Sequence, residues 1–239
     1  LVVVGLGVSW ILDGLEIQLV SSAGFQESLH MSSTEVGFAG TIYLIGQVVG
    51  ALTFGRLTDK LGRKRLFIIT LAIYLVGSGI AGLAWTPWFL YLWRFVAGLG
   101  IGGEYTAINS AIDELIPAKY RGRVDIAVNG TYWGGALLGA LASFWLLDTD
   151  HFAENVGWRI AFFIGPVMGL VIIWLRRHIP ESPRWMVTHG QGEQAERIVD
   201  DIEASVEAQG KKLAPVDAGM AMLIKAREEI PLRDLVHVF

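Results

Sequence analysis

The chain has 239 residues, of which 53% are hydrophobic and 18% charged, against about 25% charged in an average soluble domain. With a positive mean hydropathy, this balance argues against an ordinary soluble domain and makes membrane embedding the first expectation; the net charge of -4 says little about partners, because the charges are unevenly placed. No cysteine is present, so disulfides and Cys-based metal sites are excluded.

A bilayer-spanning helix needs roughly 20 apolar residues, and six stretches meet that length, at about 1–23, 36–55, 66–85, 87–112, 125–147 and 158–175. The first begins at Leu1 without a Met, a basic flank or a small-residue cleavage site. The expectation is a chain lacking its true amino terminus rather than a secretory signal. Within it, "WILDGLEIQL" carries Asp13 and Glu16. At 1.5 Å per residue Asp13 falls about 18 Å along the helix, close to mid-depth, and Glu16, three residues on, shares its face. A charge at the centre of a bilayer helix costs about 2.5–3.5 kcal/mol. Both acids are therefore expected to face a partner or a water-filled cavity.

The second and third stretches are joined by "GRLTDKLGRKR", Gly55 to Arg65. Gly55 permits close helix approach, and Asp59 can accept from backbone amides at a helix end or from a basic partner. Gly62 allows a tight turn before Arg63, Lys64 and Arg65. Trp85, Trp88, Tyr91 and Trp93 cluster around the next connection, and Trp158 opens the sixth stretch; they read as an aromatic belt at the water interface or as core aromatics. The fourth stretch opens with Arg94 and carries Glu104 about 15 Å further along, so these are the candidate intramembrane partners of the two acids. Its Ala97, Gly98, Gly100, Gly102 and Gly103 have the small-residue spacing that lets a neighbouring backbone pack closely. Gln47 in the second stretch, Asn109 in the fourth, and Asn129, Tyr132 and Trp133 in the fifth complete the polar and aromatic candidates for a cavity. Gln47, Asn109, Asn129 and Tyr132 could equally satisfy interhelical hydrogen bonds.

No Lys or Arg precedes Arg56. Arg56, Lys60 and Arg63–Arg65, then Lys119, Arg121 and Arg123, then Arg176, Arg177 and Arg184 all fall at the same end of the alternating helices, whereas "GFQESLHMSSTE", "AWTP" and "DTDHFAENVG" carry no Lys or Arg. Arg159 follows just inside the sixth stretch. By the positive-inside rule the basic end and the amino end are cytoplasmic. The expected organisation is a transmembrane bundle over 1–176 and a cytoplasmic inter-bundle segment over 177–239. In that segment Ile198, Ile202 and Val206 recur at four-residue spacing, as in an amphipathic surface helix or a solvated linker helix.

Three motifs carry a family resemblance. Gly55, Asp59, Gly62, Arg63 and Lys64 resemble the loop signature of the major facilitator superfamily of secondary transporters. Arg94, Gly98, Gly100, Glu114, Pro117, Arg121 and Gly122 resemble the fourth-helix motif of its sugar-porter branch, and "PESPRW" at Pro180–Trp185 resembles the motif after that branch's sixth helix. The resemblance implies an all-α membrane protein: six transmembrane helices forming one half, a 3+3 repeat, of a twelve-helix transporter, plus a cytoplasmic helical segment. A second six-helix half would then be needed as a partner, since a lone half cannot enclose a central pathway. The fifth stretch departs from sugar porters, reading "AVNGTYWGGALLG" where that branch usually has a sugar-binding Gln. The paired acids and Gly103–Glu104–Tyr105 look closer to the organic-anion and aromatic-acid proton symporters.

What the resemblance implies functionally is proton-coupled transport of a small polar organic solute, an organic acid or sugar-like metabolite, by alternating access. Glu16 takes the place of the first-helix acid matched to the fourth-helix Arg, so Glu16 is the expected proton-titrating group and Arg94 its switchable partner. Asp13 lines the cavity or takes the proton itself, and a fixed Glu16–Arg94 structural pair stays open. Asp113, Glu114, Arg121, Arg123, Glu181 and Arg184 look like a cytoplasmic gate network. Facilitated diffusion is the alternative, with a non-transporting receptor or scaffold less favoured. No enzymatic motif, nucleotide loop or metal spacing is found, so the expected partners are a small-molecule substrate, the proton and the lipid bilayer, without cofactor, metal or nucleic acid.

Overall fold

A computed structural model of the chain describes residues 2–21, 24–116, 118–153, 155–176, 181–208 and 210. Pro117, Arg177, Pro180 and residues 211–239 therefore lie outside the described residues, as do the side chains of Asp59, Glu114 and Arg176.

Every described element is helical: α1 (Val2–Ser21), α2 (Phe25–Ser28), α3 (Ser33–Leu61), α4 (Arg63–Ala81), α5 (Pro87–Leu115), α6 (Ala118–Leu146), α7 (Gly157–Arg176), α8 (Pro183–Thr188) and α9 (Gly192–Ala208). The six long helices α1, α3, α4, α5, α6 and α7 coincide with the six apolar stretches, but several extend beyond them. α3 begins at a capping box, in which Ser32 Oγ accepts from the Glu35 amide and the Glu35 carboxylate accepts from the Ser32 amide. Thr86 caps α5 in front of Pro87, whose missing N–H costs nothing at a first helical position. At the basic end the helices run on through charged residues, because the backbone hydrogen-bond ladder needs no apolar side chain once the ends are solvated. The expected loop over Gly55–Arg65 is thus almost wholly helical: α3 ends at Leu61, α4 starts at Arg63, and only Gly62 lies between. Gly62 has φ of 83°, a region that side chains enter only with strain.

The packing has an internal two-fold pattern. α1 packs on α6 as α3 packs on α5, α1 packs on α7 as α4 packs on α5, and α4 packs on α7. Exchanging the triplet α1, α3, α4 for α5, α6, α7 maps this set of contacts onto itself, as two three-helix repeats would. Close approach in the α3–α5 pair depends on glycine. A Cβ on Gly98 would lie 2.2 Å from the Tyr43 carbonyl oxygen, and one on Gly102 would lie 2.0 Å from that of Gln47.

Polarity is distributed inside out. Leu44, Val48, Leu52, Ile126, Leu137, Leu141, Phe144, Val167 and Leu170 are exposed, while Ser9, Asp13, Glu16, Thr70, Ser78, Arg94 and Glu104 are buried. Apolar surface of that extent marks contact with lipid or another chain. On length and composition among the described residues, Ser33–Thr58 and Arg63–Ala81 pass as bilayer-crossing segments. In α5 and α6, glycines and the polar residues of the interior dilute the apolar character.

The two readings of the end aromatics divide between residues. Trp85 and Trp88 are exposed as a belt requires, but Tyr91 is buried and donates from its hydroxyl to the Glu35 carbonyl (3.2 Å). Trp158 is also buried, donating to Ser28 Oγ (3.0 Å) and packing on Phe25 and Phe162. Both belong to an apolar cluster that closes the end opposite the basic one. The phenol O–H of Tyr91 and the indole N–H of Trp158 each find a protein acceptor. In the loop at that end, the Asp148 carboxyl is held below its ordinary range by the Asp150 amide and by His151.

Candidate functional site

Helix α1 presents Asp13 and Glu16 to the bundle interior, and both are buried. Each acid has its own partners. Asp13 accepts hydrogen bonds from the phenols of Tyr43 on α3 (3.2 Å) and Tyr105 on α5. Glu16 Oε1 accepts from Ser78 Oγ on α4 at 2.6 Å and lies 3.8 Å from Arg94 Nη1 on α5. The Ser78 hydroxyl also lies 3.3 Å from the Phe162 carbonyl of α7, an alternative acceptor. Five helices therefore meet at these two carboxylates.

Arg94 is 3% exposed and Glu16 1%, so their ion pair sits in low dielectric, where charge attraction must outweigh a desolvation cost of several kcal/mol per ion. The guanidinium is also supported from its face: its central carbon lies 3.9 Å from the Tyr43 ring centroid and 5.9 Å from that of Phe162, within the range of cation–π attraction. Tyr43 thus serves both acids. Its hydroxyl binds Asp13 while its ring carries the cation that pairs with Glu16. The pair is loosely bonded for its burial, since Nε and Nη1 of Arg94 and Oε2 of Glu16 make no hydrogen bond.

Beside Asp13, Trp10 stacks on Tyr105 with centroids 4.4 Å apart and planes 11° apart, and Tyr132 meets Trp10 edge-on at 6.3 Å. Half-buried Tyr132 therefore joins the site, whereas Trp133 is exposed on α6 and touches it through Tyr132. Gln47 is half-buried, with its amide nitrogen unbonded. Glu104 is buried further along α5. Asn109 and Asn129 are not brought to the acids. They line an open cleft of about 590 Å³ between α5 and α6 with Asp113, Arg121 and Asp125, and the Asn129 amide donates to Asp125 one turn earlier.

The residues expected to form a gate divide into two groups at the basic end. Glu181 sits on the amino end of α4: its carboxylate accepts from the Arg63 amide (2.9 Å) and the Lys64 amide (3.2 and 3.1 Å). A Cβ on Gly62 would lie 2.6 Å from Glu181 Oε2, so glycine is needed for space as well as for φ. Glu181 thus supplies a carboxylate at the amino end of α4; Asp59 lies in the last turn of α3. The second group is Arg121 with Asp113, whose Nε–carboxylate separation is 3.4 Å and whose guanidinium also reaches the Asp113 carbonyl. Arg63 donates to the Ser110 carbonyl (3.2 Å). Arg63, Ser110, Asp113, Arg121 and Arg184 line a cleft of about 390 Å³. Gly55 packs against Thr106, and Arg123 is exposed.

Sequence reasoning found Asp13, Glu16 and Arg94 but missed Trp10, Tyr43, Ser78 and Tyr105 as their partners. One signal was present: each is a polar or amphipathic side chain within an apolar helix.

Residues 15–231 match the family described as "Sugar (and other) transporter". The chain is 32% identical over 204 residues to the niacin transporter NiaP of Acinetobacter baylyi, covering 84% of this chain and 44% of that protein. It is 28% identical to the sialic acid transporter NanX of Escherichia coli, covering 75% and 43%. The inward-open xylose transporter XylE of E. coli superposes with a TM-score of 0.71 at 24% identity, over 87% of this chain and 53% of that one. The chain spans less than half the length of NiaP and of NanX. These relatives are transporters rather than enzymes. On the match over residues 15–231 and the shared all-helical architecture, the chain belongs to the sugar (and other) transporter family and has the fold of the major facilitator superfamily.

Proposed function

We propose that the chain is the amino-terminal half of a secondary active transporter that couples proton movement to uptake of a small polar organic solute, an organic acid or sugar-like metabolite, by alternating access. The observation that carries this reading is the buried Glu16–Arg94 pair. It joins the first helix of one three-helix repeat to the first helix of the other, with the Ser78 hydroxyl donating to the same carboxylate oxygen.

The chemistry follows from charge. With Glu16 ionised, Arg94 is neutralised and α1 is tied to α5. Protonation removes the negative charge and leaves the guanidinium buried over Tyr43 without its counter-ion. Removing one partner of a buried pair costs about 3–5 kcal/mol. That is enough to move a two-state equilibrium from one dominant conformation to the other. Asp13, held by Tyr43 and Tyr105 beside the Trp10 ring, lines the solute side of the same site. Release of Arg94 reaches it through Tyr43.

In this reading residues 1–176 form a six-helix transmembrane bundle with the basic end in the cytoplasm, and residues 177–239 form a cytoplasmic segment leading toward a second bundle. Glu181 on the α4 amino end and Arg121 with Asp113 act as gate contacts that hold the inner helix ends in one conformation. The names of NiaP and NanX, a niacin and a sialic acid carrier, support an organic acid among the candidate solutes. The full-length protein, reconstituted into vesicles, is to be tested with labelled niacin, sialic acid and xylose under an inside-alkaline pH gradient. Accumulation abolished by a protonophore is the expected result; uptake that ignores the gradient would establish facilitated diffusion instead.

A further inference from the structure

Glu16 uses only one of its two carboxylate oxygens. Ser78 and Arg94 both approach Oε1, and Oε2 makes no hydrogen bond although it is fully enclosed. A second buried group shares that condition: the hydroxyl of Tyr74 on α4, on a side chain only 3% exposed, also lacks a hydrogen-bond partner. Both oxygens converge on Gly165 of α7. A Cβ placed there would lie 2.6 Å from Glu16 Oε2 and 3.2 Å from the Tyr74 oxygen. An unsatisfied buried polar group costs about 1–3 kcal/mol. Two such groups facing one glycine are best explained by a partner that each acquires in another state of the site.

We propose that Tyr74 is the positioning residue for the protonated form of Glu16, with the proton carried on Oε2 and hydrogen-bonded to the Tyr74 oxygen across the space kept open by Gly165. This rests on the reading of Glu16 as the proton-titrating group. An incoming proton bonds to the oxygen that no donor already occupies. Oε1 receives the Ser78 hydroxyl and faces the cation, so Oε2 is the site of O–H bond formation. Glu16 becomes neutral, Arg94 loses its counter-ion, and the new O–H needs an acceptor in a cavity closed to bulk water. The Tyr74 oxygen supplies it without losing its own proton. A turn of the carboxyl about its last torsion, a motion broad and soft for such groups, brings Oε2 to the Tyr74 oxygen.

The other groups facing Glu16 do not compete for that role. From α1 comes Asp13, engaged by two phenols; from α3, Tyr43, already donating to Asp13; from α5, Arg94, a donor only. α7 contributes the Phe162 carbonyl, which lies on the Ser78 side, and Gly165 itself. Tyr74 and Ser78 come from the same helix one turn apart, so α4 supplies one hydroxyl to each oxygen of the carboxyl group.

Infrared difference spectroscopy on the reconstituted full-length protein, stepped between alkaline and acid pH, tests this. The wild type should show a carboxylic-acid C=O band that Glu16→Gln removes. In Tyr74→Phe the band should persist but move to higher wavenumber, as for an acid that has lost its hydrogen bond. Gly165→Ala, which places a methyl where the oxygens converge, should move it likewise and provides a second readout if Tyr74→Phe fails to fold. A band unmoved in whichever variant folds overturns the role of Tyr74 while leaving Glu16 as the proton site. Absence of any band sensitive to Glu16→Gln overturns both.

Discussion

In the proposed coupling the chemistry rests on single residues, and the sequence showed some more clearly than others. Asp13, Glu16 and Arg94 could be picked out because an ionisable group inside an apolar run is costly unless it is paired. Tyr43 and Ser78 could not, since such residues are tolerated in membrane helices whether or not they have a role, and only the fold aims them at a carboxylate. Tyr91 and Trp158 stayed open between belt and core for a related reason: a ring near a helix end does not reveal whether it points outward to a headgroup or inward to a core. The pairing itself is testable by a double-mutant cycle in thermal unfolding of the purified protein. Arg94→Leu and Glu16→Gln alone should each destabilise, Glu16→Gln by about 3–5 kcal/mol, because it strands a buried cation. The double variant should recover most of that loss. Additive losses would mean that the two side chains do not interact. Ser78→Ala should cost about 1.5–3 kcal/mol in the same assay, the range for a hydrogen bond to a charged group, and the loss should be smaller in the Glu16→Gln background.

Among the elements, six long helices were legible from apolar length, and their close crossings from the small residues of "AGLGIGG". The ends were less so. Hydropathy stops where lipid stops, whereas α3, α5 and α6 continue into charged residues that water can solvate. The Gly55–Arg65 connection illustrates the difference: a stretch rich in charge and glycine read as a loop is helix on both sides of Gly62. Its partner, Glu181, lies 118 residues from Arg63 in sequence, beyond any local pattern. Glu181→Ala should leave the Arg63 and Lys64 amides without their acceptor, and hydrogen exchange at those amides should rise while the centre of α4 stays protected. Unchanged protection would remove Glu181 from its proposed place on the helix end. At the α3–α5 crossing, Gly102→Val should abolish monodisperse folded protein, because its Cβ would fall 2.0 Å from the Gln47 carbonyl oxygen. Gly134→Ala, with nothing within 4 Å of the added Cβ, should stabilise by about 0.5–1 kcal/mol, the ordinary gain for a helix interior.

At the scale of the whole molecule, buried charge and exposed aliphatic surface invert the usual partition of a soluble domain, and the helix contacts repeat after three helices. That arrangement places α1 and α5, the first helices of the two repeats, at the same central point, so the Glu16–Arg94 pair bridges the repeats. In the proposed mechanism a change in its charge acts on how they sit against each other. The most direct test compares two transport modes of the full-length protein in vesicles: accumulation driven by a pH gradient, and exchange of labelled for unlabelled solute without one. For the solute that the uptake screen identifies, a gradient of one pH unit coupled to one proton supports about tenfold accumulation. Glu16→Gln should lose that accumulation while retaining exchange. A Glu16→Gln protein that still accumulates solute tenfold would contradict the assignment of this pair as the proton-operated switch.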